Sequence, residues 1–161
     1  MENVMGLFSR APKTPGQPPQ VRRKDLEALI APAPHDVMGS LRSHEKELHF
    51  IEENLSEDER ILAAANCGLV TARGFYGVVV VTERRAVVAI RNDNNPSGEP
   101  IVETFPLANL SVQDRQVGMF HYGTFSAPGR SDFNLEFIGE LEWYVSFFDT
   151  LRQQLNRAKF S

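Results

Sequence analysis

The sequence predicts an α+β protein: a seven-stranded antiparallel β barrel or sandwich capped by a C-terminal helix, with an accessory helix at the N-terminal side. Three observations carry this. Nine of the eleven phenylalanines lie after Ile61, where valines cluster and turn residues punctuate the chain every several positions; that is the pattern of consecutive short strands. Phe133, Leu135 and Phe137 alternate with Asp132, Asn134 and Glu136, which gives a half-buried strand a defined register. Finally, Leu141, Tyr144, Phe147, Phe148, Leu151 and Leu155 recur at three and four, the spacing of one helix face.

Taken in order, the first 20 residues hold Pro12, Pro15, Pro18 and Pro19 among glycine and glutamine and are expected to form a flexible arm, because such a composition cannot bury a core. Residues 21–55 are expected to be helical. Leu26, Leu29 and Ile30 share a face before Pro32 and Pro34 end the first turn. Asp36 is placed to cap a single amphipathic helix over 37–55 whose apolar stripe is Val37, Leu41, Leu48, Ile51 and Leu55, with His44 on the same stripe. Ser56 and Glu59 have the spacing of a capping box, but the chain beyond them turns β-like, so one tight turn is expected there.

The third unit, 56–161, carries the strands. They are expected near 61–71, 76–82, 85–91, 101–106, 110–116, 119–126 and 131–138, with Thr82-Glu83-Arg84-Arg85 closing a hairpin and 92–100 forming a long loop. Val78–Val81 and Ala86–Ile90 are apolar on both faces, so something must cover their outer side. Either the N-terminal helix or a second chain does so, and Val79, Val81, Val87 and Ala89 are the residues expected at such a partner or oligomer surface. The helix over 140–158 is expected to plug the open end of the sheet with its aromatic face.

The stretches Leu55-Ser56-Glu57-Asp58-Glu59-Arg60-Ile61-Leu62 and Gly77-Val78-Val79-Val80-Val81-Thr82-Glu83-Arg84-Arg85-Ala86-Val87, with Phe105-Pro106-Leu107 leading into Leu110, resemble the bacterial pleckstrin-homology (PH)-like families, particularly the YokE-like group. An acidic turn before the first strand and a T-(D/E)-R-R hairpin between the second and third recur there. The resemblance covers residues 55 to 158 and implies a PH-like fold; the chain departs from those families in its N-terminal arm and helix.

Composition narrows function. There are 17 Lys and Arg against 21 Asp and Glu, a net charge of −4, so no global basic field holds a nucleic acid. Apolar runs such as Ala86–Ile90 fall far short of the roughly 20 residues that cross a bilayer. Glu2 and Arg10 break the pattern of a secretory signal, and a cytoplasmic location is expected. The single cysteine, Cys67, cannot form an internal disulfide.

No catalytic residue, metal or cofactor is expected. His44 and His49 are five apart, which rotates them about 140° on a helix, away from a shared ion. Cys67 reads as a small buried hydrophobe, and a nucleophilic role would need His121 beside it. Gly74-Phe75-Tyr76-Gly77 lacks the basic centre of a nucleic-acid clamp. Arg73 and Arg91 are expected on one rim, as ligand-binding residues if the rim takes an anion, with Asp93 and Glu99 diluting it. The leading expectation is a noncatalytic, adaptor-like module that binds a protein or peptide through a loop rim or an open sheet edge. A self-assembling homo-oligomer is the alternative, followed by a lipid-headgroup binder with at most peripheral membrane contact.

Overall fold

The computed structural model describes residues 23–160, so the expected arm over 1–20 lies outside the described residues. Three short helices, α1 (Lys24–Ile30), α2 (His35–Ser43) and α3 (Glu45–Asn54), precede seven strands. These are β1 (Ile61–Leu69), β2 (Phe75–Thr82), β3 (Arg85–Asn92), β4 (Ile101–Pro106), β5 (Ser111–Val117), β6 (Phe120–Ser126) and β7 (Phe133–Phe137), and the chain ends in α4 (Leu141–Phe160). A 3₁₀ turn, Leu107–Asn109, joins β4 to β5.

All pairings are antiparallel, in the order β4-β3-β2-β1-β7-β6-β5. Two meanders, β1–β4 and β5–β7, meet where β1 pairs with β7 at Cys67, Gly68 and Leu69, and α4 closes the space between them. This is a PH-like architecture. The barrel expected from the sequence does not close: β4 and β5 are the two edges of one open sheet.

Two cores result. Inside the bent sheet, Val79, Val81, Val88, Ile90, Phe105, Phe125, Leu135 and Phe137 pack against Tyr144, Phe147, Phe148, Leu151 and Leu155 of α4. On the outer face of β1–β3, Ala64, Val78, Val80, Val87 and Ala89 pack against Leu26, Ile30, Val37, Leu41, Leu48 and Ile51 of α1–α3. The valine-rich strands are apolar on both sides because each side has a helical cover.

The single helix expected over 37–55 is two helices. His44 breaks it at φ −101°, ψ 41°, which lets α2 lie on β1 while α3 follows β2 and β3; one straight rod cannot track both on a twisted sheet. Asp36 sits inside the first turn of α2, whose N-cap is Pro34, and caps nothing. The apolar stripe of α4 begins at Tyr144, since Leu141 is exposed.

A polar clasp fixes the N-terminal layer to the sheet. The Ser56–Glu59 turn forms as expected (Glu59 N to Ser56 O, 3.1 Å). Glu59 Oε2 accepts hydrogen bonds from Thr82 Oγ1 at 2.7 Å and Arg85 Nε at 2.8 Å, and Oε1 accepts one from Arg85 Nη2 at 2.7 Å. Burial acts to raise the Glu59 pKa, but the bonds from Arg85 and Thr82 outweigh it and hold the carboxyl down to about 2. Asp25 of α1 accepts the Ile61 amide of β1 at 2.9 Å, and the Arg23 guanidinium donates to the Ser56 and Glu59 carbonyls. The acidic turn and the T-E-R-R hairpin are therefore one interlocked structural unit.

Candidate partner-binding edge

An antiparallel sheet that does not close leaves two rows of unpaired backbone groups, and here the two rows are treated differently. β4 ends in Pro106, and the β6–β7 loop folds over it. Arg130 donates to the Thr104 carbonyl at 2.7 Å, pairs with Glu103 and lies 4.2 Å above the Phe105 ring. Among the described residues β5 carries no such cover and presents its outer edge over seven residues.

The hairpin sets which β5 groups are free. Val117 and Phe120 flank the two-residue connection Gly118-Met119, with Gly118 at φ 60°, a conformation glycine adopts without strain. In such a hairpin the flanking pair exchanges both ladder hydrogen bonds, so Val117, Arg115 and Gln113 point their N–H and C=O groups at β6. By alternation, Val112, Asp114 and Gln116 point theirs off the edge.

The inner face of β5 is anchored. Asp114 lies opposite Gly123, pairs with Arg152 of α4, and sits 3.2 Å from His121 Nε2. Burial acts to raise the Asp114 pKa, but the bonds from Arg152 and His121 prevail and lower it. The His121 ring stacks on Phe148 with centroids 5.0 Å apart. A strand held to β6 and α4 in this way offers a pre-organised edge.

The outer face is open. Val117 and Phe120 pair across the hairpin, and the register of β6 on β7 levels Phe120 with Ile138. Val117 is 51% exposed, Phe120 53% and Met119 at the tip 95%. In the next row, Arg115 lies 5.3 Å over the Tyr122 ring. Among the described residues no carboxylate lies within the 4.0 Å of an ion pair from its guanidinium.

The residues singled out in the sequence lie elsewhere. Arg73 is exposed in the β1–β2 turn and Arg91 is half-buried at the end of β3. The two loops do meet, since the Asp93 amide donates to the Gly74 carbonyl at 2.7 Å. Arg91, however, faces the buried Glu47 carboxylate at 3.5 Å and Asp93 at 3.1 Å, and Glu47 Oε1 is also 2.9 Å from His44 Nδ1.

Val79, Val81, Val87 and Ala89 are fully buried within the chain. Val79 and Val81 face the inner core, and Val87 and Ala89 lie beneath the N-terminal helices. The expected partner surface at these four positions is thus already covered by the chain's own elements.

Cys67 and His121 both lie level with Phe137 in the ladder, two strand spacings apart, about 10 Å, with the Phe137 ring between them. Burial pushes the Cys67 thiol up, which disfavours the thiolate.

No protein-family model and no curated protein matches this chain. Among solved structures it is similar to the hSac2 domain from the human phosphoinositide phosphatase Sac2, with 11% identity and a TM-score of 0.49, covering 68% of this chain and 76% of that one. It is also similar to the DH/PH domains of PDZ-RhoGEF in complex with activated RhoA, with 9% identity and a TM-score of 0.45, covering 83% of this chain and 39% of that one. A third likeness is to a structure of the Vav1 exchange factor that includes its PH and C1 domains, with 13% identity and a TM-score of 0.39, covering 77% and 35%. With these scores, the fold assignment rests on the strand order and the position of α4.

Proposed function

We propose that this chain is a noncatalytic interaction module that takes an extended segment of a partner protein along the free edge of β5. The observation that carries the reading is the asymmetry of the two sheet edges: β4 is capped by Pro106 and Arg130, while β5 is uncovered among the described residues and braced from behind by Arg152 and His121. Strand addition draws affinity from backbone hydrogen bonds and selectivity from alternate side chains, and the outward groups of Val112, Asp114 and Gln116 supply the first.

The interlocked Glu59–Thr82–Arg85 clasp supports placing the chain beside the YokE-like PH group, and a cytoplasmic location is proposed with it. No helix among the described residues is long and apolar enough to cross a membrane.

Selection of a random peptide library on the full chain tests the proposal. Gln116→Pro removes one outward amide and leaves the β5–β6 ladder intact, a position where an edge strand accepts proline. The expected result is that selected peptides lose binding to Gln116→Pro and keep it on Arg73→Ala, with both variants melting like the parent. Peptides that bind Gln116→Pro unchanged would refute the β5 edge as the site.

A further inference from the structure

Resting on that reading of β5, we infer the chemistry of the segment it takes: an extended stretch with an apolar side chain and, two residues later, a carboxylate. An added strand continues each row of the outer face. One row is Val117–Phe120–Ile138, apolar and exposed, and the residue laid beside Val117 extends it. The adjacent row begins with Arg115, whose guanidinium has only the Tyr122 face as its partner among the described residues. A carboxylate laid beside Arg115 gains a cross-strand ion pair. In the antiparallel sense, which pairs better per residue, the position beside Val117 precedes the position beside Arg115 by two, giving apolar-x-acidic.

The same charges argue against a second copy of this chain as the occupant. A two-fold antiparallel pairing of β5 with itself must place some residue opposite its own copy. Full overlap of Ser111–Val117 sets Asp114 against Asp114. A shift one way sets Arg115 against Arg115, and a shift the other way sets Val112 against Asp114. Like charges directly opposite are destabilising in a sheet, and charge on an edge strand is a common guard against self-pairing. In two of these three registers Asp114 or Arg115 meets its own copy, and in the third a carboxylate faces an apolar side chain, so the Asp114–Arg115 pair disfavours β5 pairing with itself while leaving Arg115 to select an acid.

The test uses the full chain and two soluble twelve-residue peptides of high strand propensity, one carrying Leu-x-Glu and the other Leu-x-Lys, followed by fluorescence anisotropy. The Glu peptide is expected to bind about fivefold tighter, the factor of a cross-strand ion pair worth about 1 kcal/mol, and Arg115→Glu is expected to reverse the preference. Equal binding of both peptides, lost together in Gln116→Pro, would overturn the acidic preference and leave the edge reading standing. Binding of neither peptide, with the chain dimeric by sedimentation velocity and monomeric as Gln116→Pro, would assign the edge to a second copy and overturn both. A synthetic peptide of residues 1–22 that binds more tightly than the Glu probe, and loses binding in Gln116→Pro, would assign the edge to the chain's own N-terminal segment and overturn the proposal.

Discussion

The two halves of the sheet are built from the same secondary structure and buried in different ways. β1–β3 are sealed on both faces, by α4 within and by α1–α3 without. Among the described residues β5–β7 are sealed only within, and their outer face carries Val117, Phe120 and Ile138 in the open. A strand buried on both faces has little surface left to offer a partner, and the recognition proposed above uses the half with one cover. The N-terminal helices cover a face and not an edge: they seal the outer side of β1–β3, while Arg130 and Pro106 close the β4 edge.

The largest effect expected from breaking the division is loss of that cover. Deleting residues 1–55 uncovers Val78, Val80, Val87 and Ala89, a patch that a soluble monomer does not tolerate. The shortened chain should aggregate or self-associate on size exclusion; a well-folded monomer would show that the helices are dispensable. Smaller, but still large, is Arg85→Ala, which leaves Glu59 buried without its cation and should cost about 3 kcal/mol in urea unfolding.

The Glu59 clasp also fixes a pH dependence. Its folded pKa of about 2 lies below the ordinary 4.5. The clasp's contribution is therefore fully present above pH 4.5 and lost as pH falls toward about 2. Acid unfolding of Glu59→Gln should show a correspondingly shallower fall in stability over that interval.

Two glycines sharpen the contrast between the halves. A Cβ at Gly77 of β2 would lie 1.9 Å from the Ala89 carbonyl oxygen of the neighbouring strand, where backbone must move, and Gly77→Ala should cost about 3 kcal/mol. A Cβ at Gly123 of β6 would meet the Phe148 ring at 3.0 Å, which a ring shift relieves, so Gly123→Ala should cost about 1 kcal/mol. Thermal melts of the pair would check the ranking. The smallest effects belong to the open face, where Met119→Ser and Phe120→Ser should each stay within about 0.5 kcal/mol of the parent while weakening peptide binding.

Much of this was legible in the sequence, because local pattern and final burial agree. The alternation at Phe133–Phe137 and the valine runs of β2 and β3 place those strands within a residue or two, and the ambivalent strands already called for an outer cover. The break at His44 was hidden because His44 sits on the apolar stripe that a continuous helix would also show. The fate of Arg91 was hidden for another reason: its partner Glu47 is 44 positions away on α3, and no spacing rule links them. Which edge stays open depends on Arg130 reaching from one loop to β4. The only local sign at β5 is that Gln113, Asp114, Arg115 and Gln116 leave neither face apolar.

Native-state amide exchange of the full chain, resolved by residue, tests the central claim most directly. A free β5 edge predicts that the amides of Val112, Asp114 and Gln116 exchange rapidly while those of Gln113 and Arg115 are protected, and that β1–β3 exchange only through global opening. Uniform protection along β5 would mean that the edge is already covered, and would contradict the account.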